Sequence, residues 1–202
     1  MRIGIIGAGR IGGNAGRLFE QAGHEVFLGS RDTVAEAAAF ADVVMLSVPW
    51  TVVDDVLTRT GPLDGKIVID TTNPYGPGGV QDLDGRSAGR VNAERMPGAR
   101  IVRAFNTLTS GFQAETAGGS GDERVVMFLS GDDADAKALV SGLIEEIGFA
   151  PCDVGGLDET VADAPRRPGA VYGDEYRAPD AAAVIEALRA GRAIPPPTTP
   201  SA

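Results

Sequence analysis

Cysteine and histidine occur once each in the 202 residues, at Cys152 and His24, and lysine only twice, at Lys66 and Lys137. A single cysteine excludes an intramolecular disulfide and a cysteine-based metal cage, and one histidine leaves only carboxylates as metal ligands. A metal centre is therefore not expected. Positive charge is scarce too: with a formal net charge of -10, no basic field exists to attract a nucleic acid. An anionic ligand has to be held by individual arginines and backbone dipoles. The N-terminus lacks a basic stretch followed by an apolar core, and no run of about 20 apolar residues occurs. A membrane partner is not expected, and the expected location is cytoplasmic. Cys152 reads as a small buried hydrophobe. His24, in Ala22-Gly23-His24-Glu25 before a strand, reads as structural.

What the chain does have is alternation. Apolar runs that read as strands, at 2–6, 25–28, 42–49, 66–70, 101–105, 124–129 and 149–154, are separated by stretches of helical composition. Those stretches fall at 33–40, 50–58, 87–96, 107–115 and 132–147. Runs apolar on both faces suit a parallel sheet. The alternation predicts an α/β, Rossmann-like, doubly wound and mainly parallel sheet over 1–156. A glycine-rich loop, 76–85, should lie near the ligand. The signal weakens over 157–193, with one helix at 179–190, and the proline-rich tail 194–202 reads as disordered.

Two motifs in the first 31 residues describe one ligand. Gly7-Ala8-Gly9-Arg10-Ile11-Gly12 follows the first strand and opens a helix, which is the dinucleotide fingerprint in its proper setting. Gly7 lets the chain turn, Gly9 leaves no Cβ in the way of a pyrophosphate, and Gly12 allows close packing of helix on sheet. The helix N-terminus offers free N–H groups to the phosphates. At the end of the second strand, where an acidic residue would accept from NAD ribose hydroxyls, stand Ser30 and Arg31. A guanidinium forks onto a 2′-phosphate, so the expected cofactor is NADP(H). Asp32 is the opposing charge, unless as a helix-capping residue it points elsewhere.

The succession G-A-G-R-I-G, G-S-R, S-V-P-W, D-T-T-N-P and R-A-F-N-T, then V-M-F-L-S-G-D-D at 126–133, resembles the NADPH-dependent deazaflavin reductases, the coenzyme F-420:NADP oxidoreductases. The resemblance covers residues 1 to about 156. It implies an NADP-binding Rossmann-type domain, hydride transfer with coenzyme F-420 as co-substrate, and a homodimer. Carried over by position, Ser30 and Arg31 take the 2′-phosphate, and Gly7 to Ile11 the pyrophosphate. Ser47, Val48, Pro49 and Trp50 border the ribose and nicotinamide, with Asn73, Pro74, Asn106 and Thr107 ending neighbouring strands on the same edge. Open α/β sheets bind ligands beyond the carboxyl ends of their strands. The same residues also suit turns and helix caps, and Trp50 could cover the core.

The chain departs from the resemblance in two places. Arg31 is followed almost at once by the 33–40 segment, so the sheet should lack an edge strand. Residues 157–202 do not follow the family's closing helices and form a divergent C-terminal segment. No residue is assigned a catalytic role, because hydride transfer between stacked rings needs none. A small carbonyl or imine acceptor would instead require a proton donor, for which Tyr75, Tyr172 and Tyr176 are available. A deazaflavin's anionic tail would want rim arginines such as Arg86, Arg90 or Arg103. A non-catalytic NADP(H)-binding module is the third reading.

Overall fold

The computed structural model describes residues 1–198. It opens with β1 (Arg2–Ile6), α1 (Arg10–Gln21) and β2 (Glu25–Gly29), the two strands parallel from Arg2 opposite Glu25 to Ile6 opposite Gly29. α2 (Val34–Phe40) returns the chain to β3 (Val43–Leu46), on the other side of β1. A 3₁₀ turn, Trp50–Val52, leads into α3 (Val53–Thr60) and β4 (Ile67–Asp70). Next come the short hairpin of β5 (Tyr75–Gly76) and β6 (Gly79–Val80), then α4 (Ala88–Arg95), β7 (Arg100–Arg103) and α5 (Ser110–Thr116). β8 (Val126–Gly131), α6 (Ala134–Glu146), β9 (Ala150–Asp153) and α7 (Ala181–Arg189) complete the chain.

The seven-stranded sheet has the order β2-β1-β3-β4-β7-β8-β9. β2 lies at the edge, as the short path from Arg31 to α2 requires. The chain runs outward from β1 in both directions, and the reversal opens a crevice at the carboxyl ends of β1 and β3. β3, β4 and β8 are buried at every position. Ile3, Ile5, Val43 and Met45 face α1, α5 and α6; Ile6, Val44, Leu46 and Val68 face α2 and α3.

Several boundaries shift for local reasons. β3 ends at Leu46, not Pro49, leaving 47–49 as unpaired chain at the crevice. β7 ends at Arg103 because Phe105 adopts φ 63°, which a strand does not accommodate. The 76–85 loop contains part of the hairpin. β8 runs antiparallel to β7, and β9 follows β8 in parallel. The seven-residue α5 rises only about 10 Å, so the glycine-rich 118–121 turn feeds β8 from the crevice edge.

The tail needs correcting. Ile194 is buried in a third apolar cluster with Phe128, Tyr176 and Val184, the Pro195 carbonyl accepts from Tyr176 Oη at 2.8 Å, and Thr198 Oγ1 donates to Asp180. Residues 194–198 are thus anchored by the buried Ile194 and by hydrogen bonds at Pro195 and Thr198 rather than disordered, with Ile194 covering part of the apolar face of β8 and β9; 199–202 lie outside the described residues.

α6 is capped by Asp133, which accepts from the Ala136 N–H and takes both Arg100 nitrogens at 2.6 and 2.8 Å. The Arg100 guanidinium and the cap hold the Asp133 carboxyl well below the usual carboxylate range. A depressed folded pKa stabilises above the unfolded value and ceases to do so as pH falls. The thermal midpoint of wild type should therefore exceed that of Asp133→Asn above about pH 4, the gap closing as pH falls further. A gap constant to pH 2.5 would contradict this.

Candidate functional site

The glycine turn is fixed by what surrounds it. Gly7 has φ 112°, and a Cβ there would lie 2.1 Å from the Ser47 carbonyl oxygen. A Cβ on Gly12 would meet the Gly7 carbonyl oxygen at 2.2 Å, so α1 sits against the turn itself. At Gly9 the position of a Cβ is open space. Gly9 is also the N-cap of the twelve-residue α1, and no side chain caps it. The first N–H groups of α1 therefore face outward with no side-chain acceptor, where anionic oxygens are favoured.

Two cavities flank this turn and share Val48. The first, about 360 Å³, has aliphatic walls from Val34, Val48, Val52 and Val56 and a polar side formed by Ser30, Arg31, Asp55 and Arg59. Gly7 and Ala8 also line it, and Asp32 does not. The turn after β2 is tied by Thr33, whose Oγ1 accepts from the Ser30 N–H at 2.9 Å. Arg59, in the last turn of α3, donates to the Arg31 carbonyl oxygen at 2.9 Å and pairs with Asp55 at 2.7 Å. Sequence reading missed Arg59 because it arrives from another helix. An arginine in the last turn of the helix after β3 was the only signal.

The second cavity, about 280 Å³, is lined by Gly9, Arg10 and Ile11, by Ser47, Val48, Pro49 and Trp50, and by Thr71, Thr72, Asn73 and Tyr75. Trp50 is 4 % exposed: it covers the core and borders the cavity at once. Its indole N–H donates to Gln81 Oε1 at 2.9 Å and the Arg95 guanidinium lies 4.3 Å from its ring. Thr71 Oγ1 lies 3.2 Å from Ser47 Oγ, tying β3 to β4 at the cavity edge.

The remaining sequence-selected residues sit around this wall. Pro74 borders a different depression, with Arg86 and Arg167. Asn106 and Thr107 are buried and lie one hydrogen bond behind the wall: Asn73 Nδ2 donates to the Asn106 carbonyl at 2.8 Å. Asn106 in turn donates to the Ala162 carbonyl. Among the described residues, Asn106 Oδ1 and Thr107 Oγ1 are buried without partners.

The arginines expected on the rim are otherwise engaged. Arg103 is 1 % exposed and bridges Asp70 at 2.9 Å and Asp163 at 2.8 Å. Arg90 pairs with Asp158 and Asp132, and Arg86 with Glu94. Arg10 is the arginine on the wall of the second cavity. Of the candidate proton donors, Tyr176 is buried in the C-terminal cluster, whereas Tyr75 Oη lies 2.9 Å from Tyr172 Oη. His24 lies at the amino end of β2, 2.7 Å from Glu146. Burial pushes the Cys152 thiol up to about 12, so it stays protonated and unreactive. Among the described residues no group of three or more His, Cys, Asp or Glu could hold a metal, and no helix is long and apolar enough to cross a membrane.

The sequence model of the family described as NADP oxidoreductase, coenzyme F420-dependent, matches residues 32–74. A solved hypothetical protein from Sinorhizobium meliloti is 30 % identical, with a TM-score of 0.70, covering 88 % of this chain and 95 % of that one. A candidate F420-dependent NADP-reductase from Arthrobacter sp. FB24 is 25 % identical, with a TM-score of 0.68, over 77 % of this chain and 85 % of its own. The metalloreductase STEAP3 of Rattus norvegicus is 26 % identical over 171 residues, 77 % of this chain. The chain spans only 34 % of that metalloreductase. The chain thus shares the α/β, Rossmann-like fold of these proteins and is similar over residues 32–74 to the coenzyme F420-dependent NADP oxidoreductases.

Proposed function

We propose that NADP(H) lies along the crevice with its adenosine half in the first cavity and its nicotinamide half in the second, and that the site passes hydride to a planar acceptor of the deazaflavin class. The observation that supports this reading is the pair of cavities meeting at Val48 beside a turn that a Cβ on Gly7 would break against the Ser47 carbonyl and that Gly9 leaves open. The chain's donors fit such a group. The uncapped N-terminus of α1 takes the pyrophosphate, Ser30, Arg31 and Arg59 the 2′-phosphate, and the valine walls the adenine. A bound reduced nicotinamide supplies the hydride.

What remains for the protein is placement. Ser47, Val48 and Pro49 form one side of the second cavity and Thr72 and Asn73 another, leaving about 280 Å³ in which a flat ring can lie. Holding two rings face to face can be worth about 7 to 11 kcal/mol. Arg10 is the cation available there for an anionic acceptor tail.

The test is a fluorescence titration with NADPH and NADH, followed by oxidised deazaflavin and the loss of reduced-nicotinamide absorbance. Expected are tighter binding of NADPH and rapid acceptor-dependent oxidation. Binding without turnover would remove the deazaflavin from this reading and leave the cofactor site standing.

A further inference from the structure

Two tyrosines far apart in the chain meet at the second cavity, and neither has a role in simple hydride transfer between rings. Tyr75 lines the cavity beside Asn73 and is 46 % exposed. Its hydroxyl lies 2.9 Å from that of Tyr172, which the divergent C-terminal segment brings in.

The position of Tyr172 is heavily determined. The Val171 N–H donates to the Val161 carbonyl at 2.9 Å, and the Gly173 N–H to the Thr107 carbonyl at 3.0 Å. Thr107 belongs to a strained turn, since Phe105 holds φ 63°. Gln113 Nε2 clamps that turn by donating to the Phe105 and Leu108 carbonyls at 3.1 and 2.9 Å, and Asn106 is tied to Ala162. A strained residue persists only where its surroundings over-determine it, and such residues gather at working sites. Here the strain supports the backbone that carries Tyr172.

Burial pushes the Tyr172 phenol up, and its hydrogen bond to Tyr75 acts in the same direction. Both hydroxyls can donate in this pair; with Tyr172 donating to Tyr75, the Tyr75 O–H is free to turn into the cavity.

We propose that Tyr75 is the proton donor of a second activity at this site, reduction of a small carbonyl compound, with Tyr172 as the positioning residue that aims it. This rests on the cofactor placement proposed above. Hydride from the reduced nicotinamide forms a C–H bond at the carbonyl carbon while the C=O π pair moves to oxygen. That oxygen takes the Tyr75 proton, which bulk water restores.

The probes are 4-nitrobenzaldehyde, which needs a proton, and N-methyl-3,4-dihydroisoquinolinium, whose reduction needs none. In Tyr75→Phe the aldehyde-to-iminium ratio of kcat/KM should fall at least about 100-fold, within the range for general acid catalysis; in Tyr172→Phe it should fall about tenfold. The C=O stretch of carbonyl-¹³C 4-nitrobenzaldehyde bound to the protein with NADP⁺ should lie lower in wild type than in Tyr75→Phe. An unchanged ratio with an unchanged stretch overturns the proposal, as does wild-type reduction of the iminium without the aldehyde. Both of those outcomes leave the cofactor placement standing. Failure of wild type to bind NADPH overturns the two together.

Discussion

Arg31→Glu should raise the Kd for NADPH by about 100-fold and that for NADH far less. Arg31 lines the first cavity beside Ser30 and Arg59, where the 2′-phosphate is proposed to lie. A hydrogen bond to a charged group contributes about 1.5 to 3 kcal/mol. Losing a forked pair and adding a carboxylate next to a phosphate exceeds about 3 kcal/mol, which is about two decades in Kd. Arg59→Ala should weaken NADPH by about tenfold, since Asp55 already shares that guanidinium. Side-by-side titration with both nucleotides reads the result. Equal weakening of NADPH and NADH by Arg31→Glu would mean that the residue shapes the cavity without touching the phosphate.

Arg103→Met should destabilise the fold by about 3 to 5 kcal/mol. The guanidinium joins two carboxylates in the interior: Asp70 is 0 % exposed and Asp163 6 %. Asp70 is bound further by the Thr72 N–H and Asn92 Nδ2, and Asp163 by the Ala88 N–H, all at 2.8 to 2.9 Å. Removing the cation leaves two buried carboxylates facing each other, and breaking one partner out of a buried ion set costs about that amount. Urea unfolding with the slope held common to both proteins measures it. A loss under about 1 kcal/mol would mean that water or protons replace the guanidinium. Arg103→Met combined with Asp70→Asn should recover part of the loss, because one of the orphaned charges is gone.

Arg103 also shows where sequence reasoning reaches its limit. An arginine at the end of a strand on the crevice side reads as a rim cation. Its second partner, Asp163, lies 60 residues on in the segment with the weakest pattern. The glycine turn and Ser30-Arg31 were legible because each acts on chain close to it. Arg59 and Tyr172 were not placed by sequence, since the first acts across 28 residues and the second across 97. Strand existence was legible in the apolar runs, but the reversed direction of β8 was not, because Val126–Leu129 is equally apolar in either direction. The tail misled for a similar reason: prolines exclude regular structure but not burial, and Ile194 supplied the anchor.

The antiparallel step at β8 has a consequence for how the site assembles. Because β8 and β9 run away from the crevice, the chain after Asp153 must climb back beside α4 to reach it, where Asp163, Ala162 and Tyr172 attach in turn. The same arrangement builds the Tyr172 side of the crevice from the last 45 or so residues and the glycine turn from the first dozen, so substitutions in one segment can reshape one side of the crevice while leaving the other as it is.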